Sequence, residues 1–182
     1  MIEVEIKAPL SEREAVMSML IERGCTYLGH RIQSDTYYNA QDRDFAKTDE
    51  ALRIRKDGEC HLITYKGPKV GTISKSRKEV ELEISSPEVA DELLTCLGYS
   101  KVMNINKTRD NYRLDQYTIS LDNVRGLGDY IEIETAAQTE GEVPHKVENM
   151  IALFTSMGLT KDILITKSYL ELLKEKSSEG LD

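Results

Sequence analysis

The chain has 182 residues, 31% of them charged and 40% hydrophobic, with a formal net charge of −8. That length suits one domain with a sizeable core, and the acidic balance argues against nucleic acid or an anionic membrane as partner. No stretch approaches the ~20 apolar residues of a membrane span, and the start, Met1-Ile2-Glu3-Val4-Glu5, lacks the regions of a secretory signal, so a cytoplasmic address is expected.

The chain opens on Glu3, Glu5 and Lys7 alternating with Ile2, Val4 and Ile6, a period of two that predicts a strand with one charged and one apolar face. Ser11-Glu12-Arg13-Glu14 then reads as a capping box for a helix ending at Gly24. Extended stretches follow around 51–56 and 60–66, with Gly67 to Gly71 as a turn and a long strand from about 73 to 84. A second helix starts at Ser86-Pro87 and ends at Gly98. Residues 112–122 and 129–135, split by Arg125-Gly126-Leu127-Gly128, read as a hairpin. A third helix follows Pro144 and ends at Gly158, and a last one runs from Tyr169 to about Lys176. Segments around Asp35-Thr36-Tyr37, Lys107-Thr108-Arg109 and Lys167-Ser168-Tyr169 each follow one of the first three helices, which suggests a strand–helix–strand unit used three times.

The expected organisation is a single domain over 1–176 with a flexible tail at 177–182. About eight strands with interspersed helices make an α+β pattern dominated by antiparallel sheet, and eight strands can close into a barrel. Cys25, Cys60 and Cys96 are odd in number and have no CxxC pair, so they are expected to be buried small hydrophobes rather than a disulfide or zinc framework. His30, His61 and His145 show no ligand spacing.

Charge recurs at every second position along several strands: Arg53 and Arg55; Lys75, Arg77, Glu79, Glu81 and Glu83; Lys107 and Arg109; Glu132 and Glu134. A solvated sheet face usually mixes neutral polar residues with charges, and these strands have hardly any. The alternation therefore suggests a barrel whose charges line the inside, with bases suited to a polyanion and carboxylates suited to metal ions.

These motifs, in this order, resemble the CYTH superfamily, or triphosphate tunnel metalloenzymes, which includes class IV adenylyl cyclases, thiamine triphosphatases and inorganic triphosphatases. The resemblance spans residues 1 to roughly 173, and Lys167-Ser168-Tyr169-Leu170-Glu171-Leu172-Leu173 looks most like the ending of the class IV cyclase-like branch. It implies an eight-stranded antiparallel β-barrel forming a tunnel, with helices packed outside. It also implies that Lys7, Arg53, Arg55, Lys66, Arg77, Lys107 and Arg109 contact a triphosphate, and that Glu3, Glu5, Glu132 and Glu134 hold Mg²⁺ or Mn²⁺. Lys7 and Asp122 would be catalytic, with Asp122 near the reacting end. Lys75, Glu79, Glu81 and Glu83 match the family's long charged strand, whose register is open by a residue or two; Lys78 is the alternative inward base to Arg77.

The activity expected from the resemblance is conversion of ATP to cyclic AMP and pyrophosphate. A triphosphatase acting on tripolyphosphate, thiamine triphosphate or a nucleotide is the alternative, and a non-catalytic polyphosphate- or nucleotide-binding protein is a third reading. The partner is then a nucleoside triphosphate or other triphosphate. A homodimer is expected if the helices leave apolar strand backs exposed.

Overall fold

The period-two segments form eight strands, several longer than the motifs that announced them. β1 (Ile2–Pro9) leads through α1 (Arg13–Glu22) into β2 (Thr26–Asn39); a short α2 (Phe45–Thr48) precedes β3 (Ala51–Asp57), β4 (Cys60–Lys69) and β5 (Arg77–Glu83). Then come α3 (Pro87–Cys96), β6 (Ser100–Leu114), β7 (Tyr117–Val124), β8 (Gly128–Ala137), α4 (Val143–Ser156) and α5 (Tyr169–Glu179). The computed structural model describes residues 2–69 and 77–179. Each strand pairs antiparallel with its neighbours in the order β1-β5-β4-β3-β2-β6-β7-β8, and β8 returns to β1, closing the barrel.

The barrel is inverted in polarity. Val4, Ile6, Ile119, Leu121, Ile131 and Ile133 point outward and are at most 2% exposed, because Val16 and Leu20 of α1 and Val147, Met150 and Phe154 of α4 pack over them. Burial of each such aliphatic side chain contributes roughly 1.5–3 kcal/mol, so the main hydrophobic core lies between barrel and helices. Tyr38, Leu52 and Ile54 likewise meet Phe45 of α2 and Leu94 of α3. A further cluster of Tyr37, Ile105, Val124 and Tyr130 receives Tyr169, Leu170 and Leu173 of α5, docking the last helix. Val80 and Leu82 of β5 stay exposed, as do Val89, Leu93 and Leu97 along α3.

Several local expectations hold. The Ser86 side chain accepts from the Val89 N–H at 3.2 Å, and Gly24, Gly98 and Gly158 have the positive φ that ends a helix in the left-handed region. Others are corrected. Ser11 does not cap: α1 begins one residue later than a Ser11 cap requires, with the Val16 N–H on the Glu12 carbonyl and no side-chain cap. Gly67, Pro68 and Lys69 stay within β4, which bulges between Lys66 and Lys69; Val70 and Gly71 of the expected turn, and Lys75, lie outside the described residues. The expected strand at 112–122 is broken by a turn in which Asp115 takes φ 51°, so Tyr112 belongs to the end of the 15-residue β6.

After α4 the third expected unit makes a single bridge, Lys7 to Ile165, and Lys167-Ser168-Tyr169 enters α5 instead of a strand. Cys60 and Cys96 are exposed and Cys25 is partly so, since Cys60 begins β4 and Cys96 ends α3. α5 continues to Glu179, beyond the expected start of a loose tail.

Phe154 is 1% exposed beneath α4. Phe154→Ala should cost about 3–5 kcal/mol in urea unfolding, by lost transfer energy and the cavity left behind. A loss below 1 kcal/mol would mean that α4 is not the cover this packing makes it.

Candidate active site: a charged tunnel

Period two puts the odd residues of β1 and β3 and of the described part of β5 on the inner wall, together with Lys107, Arg109, Glu132 and Glu134. They line a cavity of about 330 Å³ that also takes in Asp35, Tyr37, Thr64 and Lys66, and Ser168, Tyr169 and Glu171 of the last helix. Of the expected bases, Lys7, Arg53, Arg55, Lys66, Arg77, Lys107 and Arg109 all line it, as do Glu3, Glu5, Glu132 and Glu134. The register of β5 is settled by the pairs Glu3–Arg77 and Ile2–Lys78: Arg77 is buried and faces inward, whereas Lys78 is exposed on the outside. Glu79 and Glu81 join the lining; Glu83, at the strand's end, is exposed and does not.

The wall is a lattice of ion pairs. Lys66 Nζ lies 2.8 Å from Glu3 and 2.9 Å from Glu79. Arg55 makes a two-pronged contact with Asp35, both bonds 2.7 Å, and Arg53 Nη1 reaches the same carboxylate at 3.6 Å. Burial alone would push the Asp35 carboxyl up; Arg53 and Arg55 outweigh it and hold it well below the usual carboxylate range. Arg53 also lies 4.0 Å from Glu79, and among the described residues its Nε has no hydrogen-bond partner. A buried donor left unmade is costly and is suited to an incoming oxyanion.

Asp122 is fully buried and sits beneath the lining. It accepts from Lys107 Nζ at 2.8 Å, from Arg109 Nε and Nη2 at 2.6 Å each, and from the Tyr169 hydroxyl at 2.9 Å. Arg109 also pairs with Glu132, whose other oxygen lies 3.9 Å from Lys7 Nζ. Desolvation, reinforced by Arg109, pulls Lys107 down to about 8. Sequence reasoning left Asp35 out of the site, although it shares the inward parity of Tyr37. It also passed over Ser168-Tyr169-Leu170-Glu171 as a capping box: the Glu171 N–H donates to Ser168 Oγ, and the Ser168 N–H donates to the Glu171 carboxylate at 2.6 Å.

Among the described lining residues acids outnumber bases, so a bare polyanion meets no net attraction from them. Glu5 and Glu134 are directly paired across β1 and β8. Burial raises Glu134 to about 7, opposed by Arg109 and reinforced by Glu3, Glu5 and Glu132. Such a cluster fits a divalent cation, which would relieve the repulsion. Among the described residues no three carboxylates converge on one point; Mg²⁺ commonly takes one or two carboxylates and completes its shell with water and substrate phosphates.

A closed barrel whose interior is lined by buried bases and carboxylates defines a tunnel class of protein. The chain belongs to the CYTH domain family, whose model matches residues 1–169. A Methanocaldococcus jannaschii protein named provisionally as an adenylate cyclase is 39% identical over 172 residues, covering 94% of this chain and 98% of its own. Adenylate cyclase CyaB of Aeromonas hydrophila is 27% identical over 95% of this chain and 89% of its own. A solved Pyrococcus horikoshii protein, 39% identical, superposes with a TM-score of 0.88 over 96% of this chain and 99% of that one.

The Glu134 environment has a pH signature in metal-free protein. Its folded value of about 7 lies above the ordinary 4.5, so folding favours the protonated form, and that contribution is complete below pH 4.5 and lost as the pH rises to 7. Glu134→Gln should match wild type in stability near pH 4.5, gain on it up to pH 7 by about 3 kcal/mol, and keep that lead above. Added Mn²⁺ should narrow the gap at pH 8. Denaturation curves whose difference does not change with pH would refute the cluster.

Proposed function

We propose that this chain is a metal-dependent enzyme acting on a triphosphate held in the barrel, and that its reaction is that of a class IV adenylyl cyclase, ATP to cyclic AMP and pyrophosphate. The observation that carries the reading is a buried wall of alternating bases and acids in which, among the described residues, Arg53 Nε keeps an unsatisfied donor and Glu5 pairs across the strands with Glu134. The cyclase names of the two curated relatives support the choice of reaction.

In this reading Lys7, Arg53, Arg55, Lys66, Arg77, Lys107 and Arg109 surround the phosphate oxygens, replacing their hydration by preplaced donors. As the ribose 3′-hydroxyl attacks the α-phosphorus, negative charge moves onto the departing pyrophosphate, and these bases stabilise it without reorganising. Glu5 and Glu134, with Glu3 and Glu132 nearby, are the residues that would hold Mg²⁺ or Mn²⁺. When bound, such an ion would lower the pKa of the attacking hydroxyl and screen the phosphate charge. Asp122, with its oxygens occupied by Lys107, Arg109 and Tyr169, serves as a positioning residue in place of the reacting-end role implied by the family resemblance.

A second reading, triphosphate hydrolysis, draws on the cavity's size. About 330 Å³ is at the small end of ligand sites and suits a compact substrate such as tripolyphosphate. Chromatography after incubation with ATP, and separately with tripolyphosphate, in Mg²⁺ or Mn²⁺ separates the two. Cyclic AMP with pyrophosphate is the expected result; free phosphate without cyclic AMP would move the protein to the triphosphatases, and binding without any product would leave a non-catalytic binder. Lys7→Ala and Arg53→Ala should raise KM at least tenfold, whereas Glu134→Gln should lower kcat at least a hundredfold.

The proposal extends to a cytoplasmic homodimer. Among the described residues no helix is long and apolar enough to cross a membrane. On α3, Asp91 faces Tyr38 and Lys101, which puts Val89 and Leu93 on the opposite side of the helix, and both are exposed, as are Val80 and Leu82 of β5. Together with Leu97 they expose on the order of 500 Å² per protomer, which in two copies approaches the ~1,200 Å² of the smaller stable interfaces. Light scattering should find a dimer that Leu93→Glu dissociates; a monomeric wild type would remove this part of the proposal.

A further inference from the structure

Tyr169 touches more of the tunnel's bases than its place outside the barrel strands suggests. It is the first residue of α5 and 7% exposed, and the reciprocal Ser168–Glu171 cap fixes where that helix begins. Its ring lies 4.0 Å from Lys7 Nζ and 5.4 Å from Lys107 Nζ, both within cation–π reach. Its hydroxyl donates to Asp122 at 2.9 Å, the carboxylate that also holds Lys107 and Arg109. Tyr130 meets it edge-on, with ring centroids 5.2 Å apart and planes at 70°.

Two ammonium groups gathered in a low-dielectric wall repel each other, and an electron-rich ring face offers attraction to both. We propose that Tyr169 is a positioning residue that holds Lys7 and Lys107 at the spacing needed to grip a triphosphate, so that the grip is complete only while α5 is docked. This rests on the triphosphate reading above. It makes the helix a component of the binding wall, and it differs from simple plugging of the barrel end, for which any apolar side chain of similar bulk would serve.

The two roles separate by substitution. Tyr169→Phe keeps the ring and loses the bond to Asp122; Tyr169→Leu fills space but removes the π face. The probe is the imido analogue of tripolyphosphate, which resists hydrolysis, titrated calorimetrically in Mg²⁺, with circular dichroism and thermal melting as controls for folding. Tyr169→Phe should weaken binding by no more than about threefold, and Tyr169→Leu by tenfold or more, with the loss appearing in KM more than in kcat once a substrate turns over. Tyr169→Met supplies the same contrast where the leucine variant fails to fold. An aliphatic variant that binds as tightly as wild type, or a phenylalanine variant that loses as much as the aliphatic one, overturns the role of the ring. A wild-type protein that does not bind the probe overturns the triphosphate reading itself.

Discussion

A carboxylate with no solvent exposure organises one side of this barrel. Asp122 is tolerable there because four hydrogen bonds from Lys107, Arg109 and Tyr169 replace the water it gave up. The same bonds make it costly to remove, since an ammonium and a guanidinium would be left buried with one partner fewer. Asp35 plays the equivalent part for Arg53 and Arg55, and Glu3 with Glu79 for Lys66. Local neutralisation of this kind is the constraint on which the interior depends: Lys66, Arg53, Arg55, Lys107 and Arg109 are each positioned by an acid.

From that constraint follows the arrangement of everything else. A barrel filled with charge cannot supply its own hydrophobic core, so the stabilising apolar contacts are moved to its outer surface, where α1 and α4 cover β1, β7 and β8. It also sets the ligand chemistry. With acids exceeding bases among the described lining residues, a polyanion would be favoured by accompanying cations, and the cross-strand pair Glu5 and Glu134, the latter raised to about 7 by burial and neighbouring carboxylates, is where a cation would relieve repulsion. Arg53 meets carboxylates only at 3.6 and 4.0 Å, and among the described residues its Nε has no hydrogen-bond partner, a donor that would suit an incoming oxyanion.

The inverted polarity was legible in the sequence because side-chain direction in a strand alternates strictly. Glu3-Glu5-Lys7 and Arg53-Arg55 could share a face only by pointing the same way, and their apolar alternates required cover. The family resemblance then supplied the roles that alternation alone leaves open. What escaped was of three physical kinds. The start of α1 and the turn at Asp115 depend on backbone competition that a four-residue pattern does not resolve; Ser11 matched a cap the chain does not use, while Ser168 formed one that went unnoticed. The choice between Arg77 and Lys78 needed the pairing partner on β1. The membership of Asp35 in the wall and the contacts by which Tyr169, legible as a residue that could close a tunnel end, meets Asp122 and Lys7 are tertiary facts, since Arg55, Asp122 and Lys7 lie 20, 47 and 162 positions away from their partners along the chain.

The central claim is that the barrel interior is the site, with triphosphate on the bases and metal between the carboxylates. It is tested most directly by a crystal structure with Mn²⁺ and a non-hydrolysable ATP analogue, using anomalous scattering to locate manganese. The account predicts phosphate oxygens within hydrogen-bond distance of Arg53, Lys66 and Lys7, and an anomalous peak bound by Glu5 or Glu134. Triphosphate density outside the barrel, or manganese away from those carboxylates with the interior ion pairs unchanged, would contradict it.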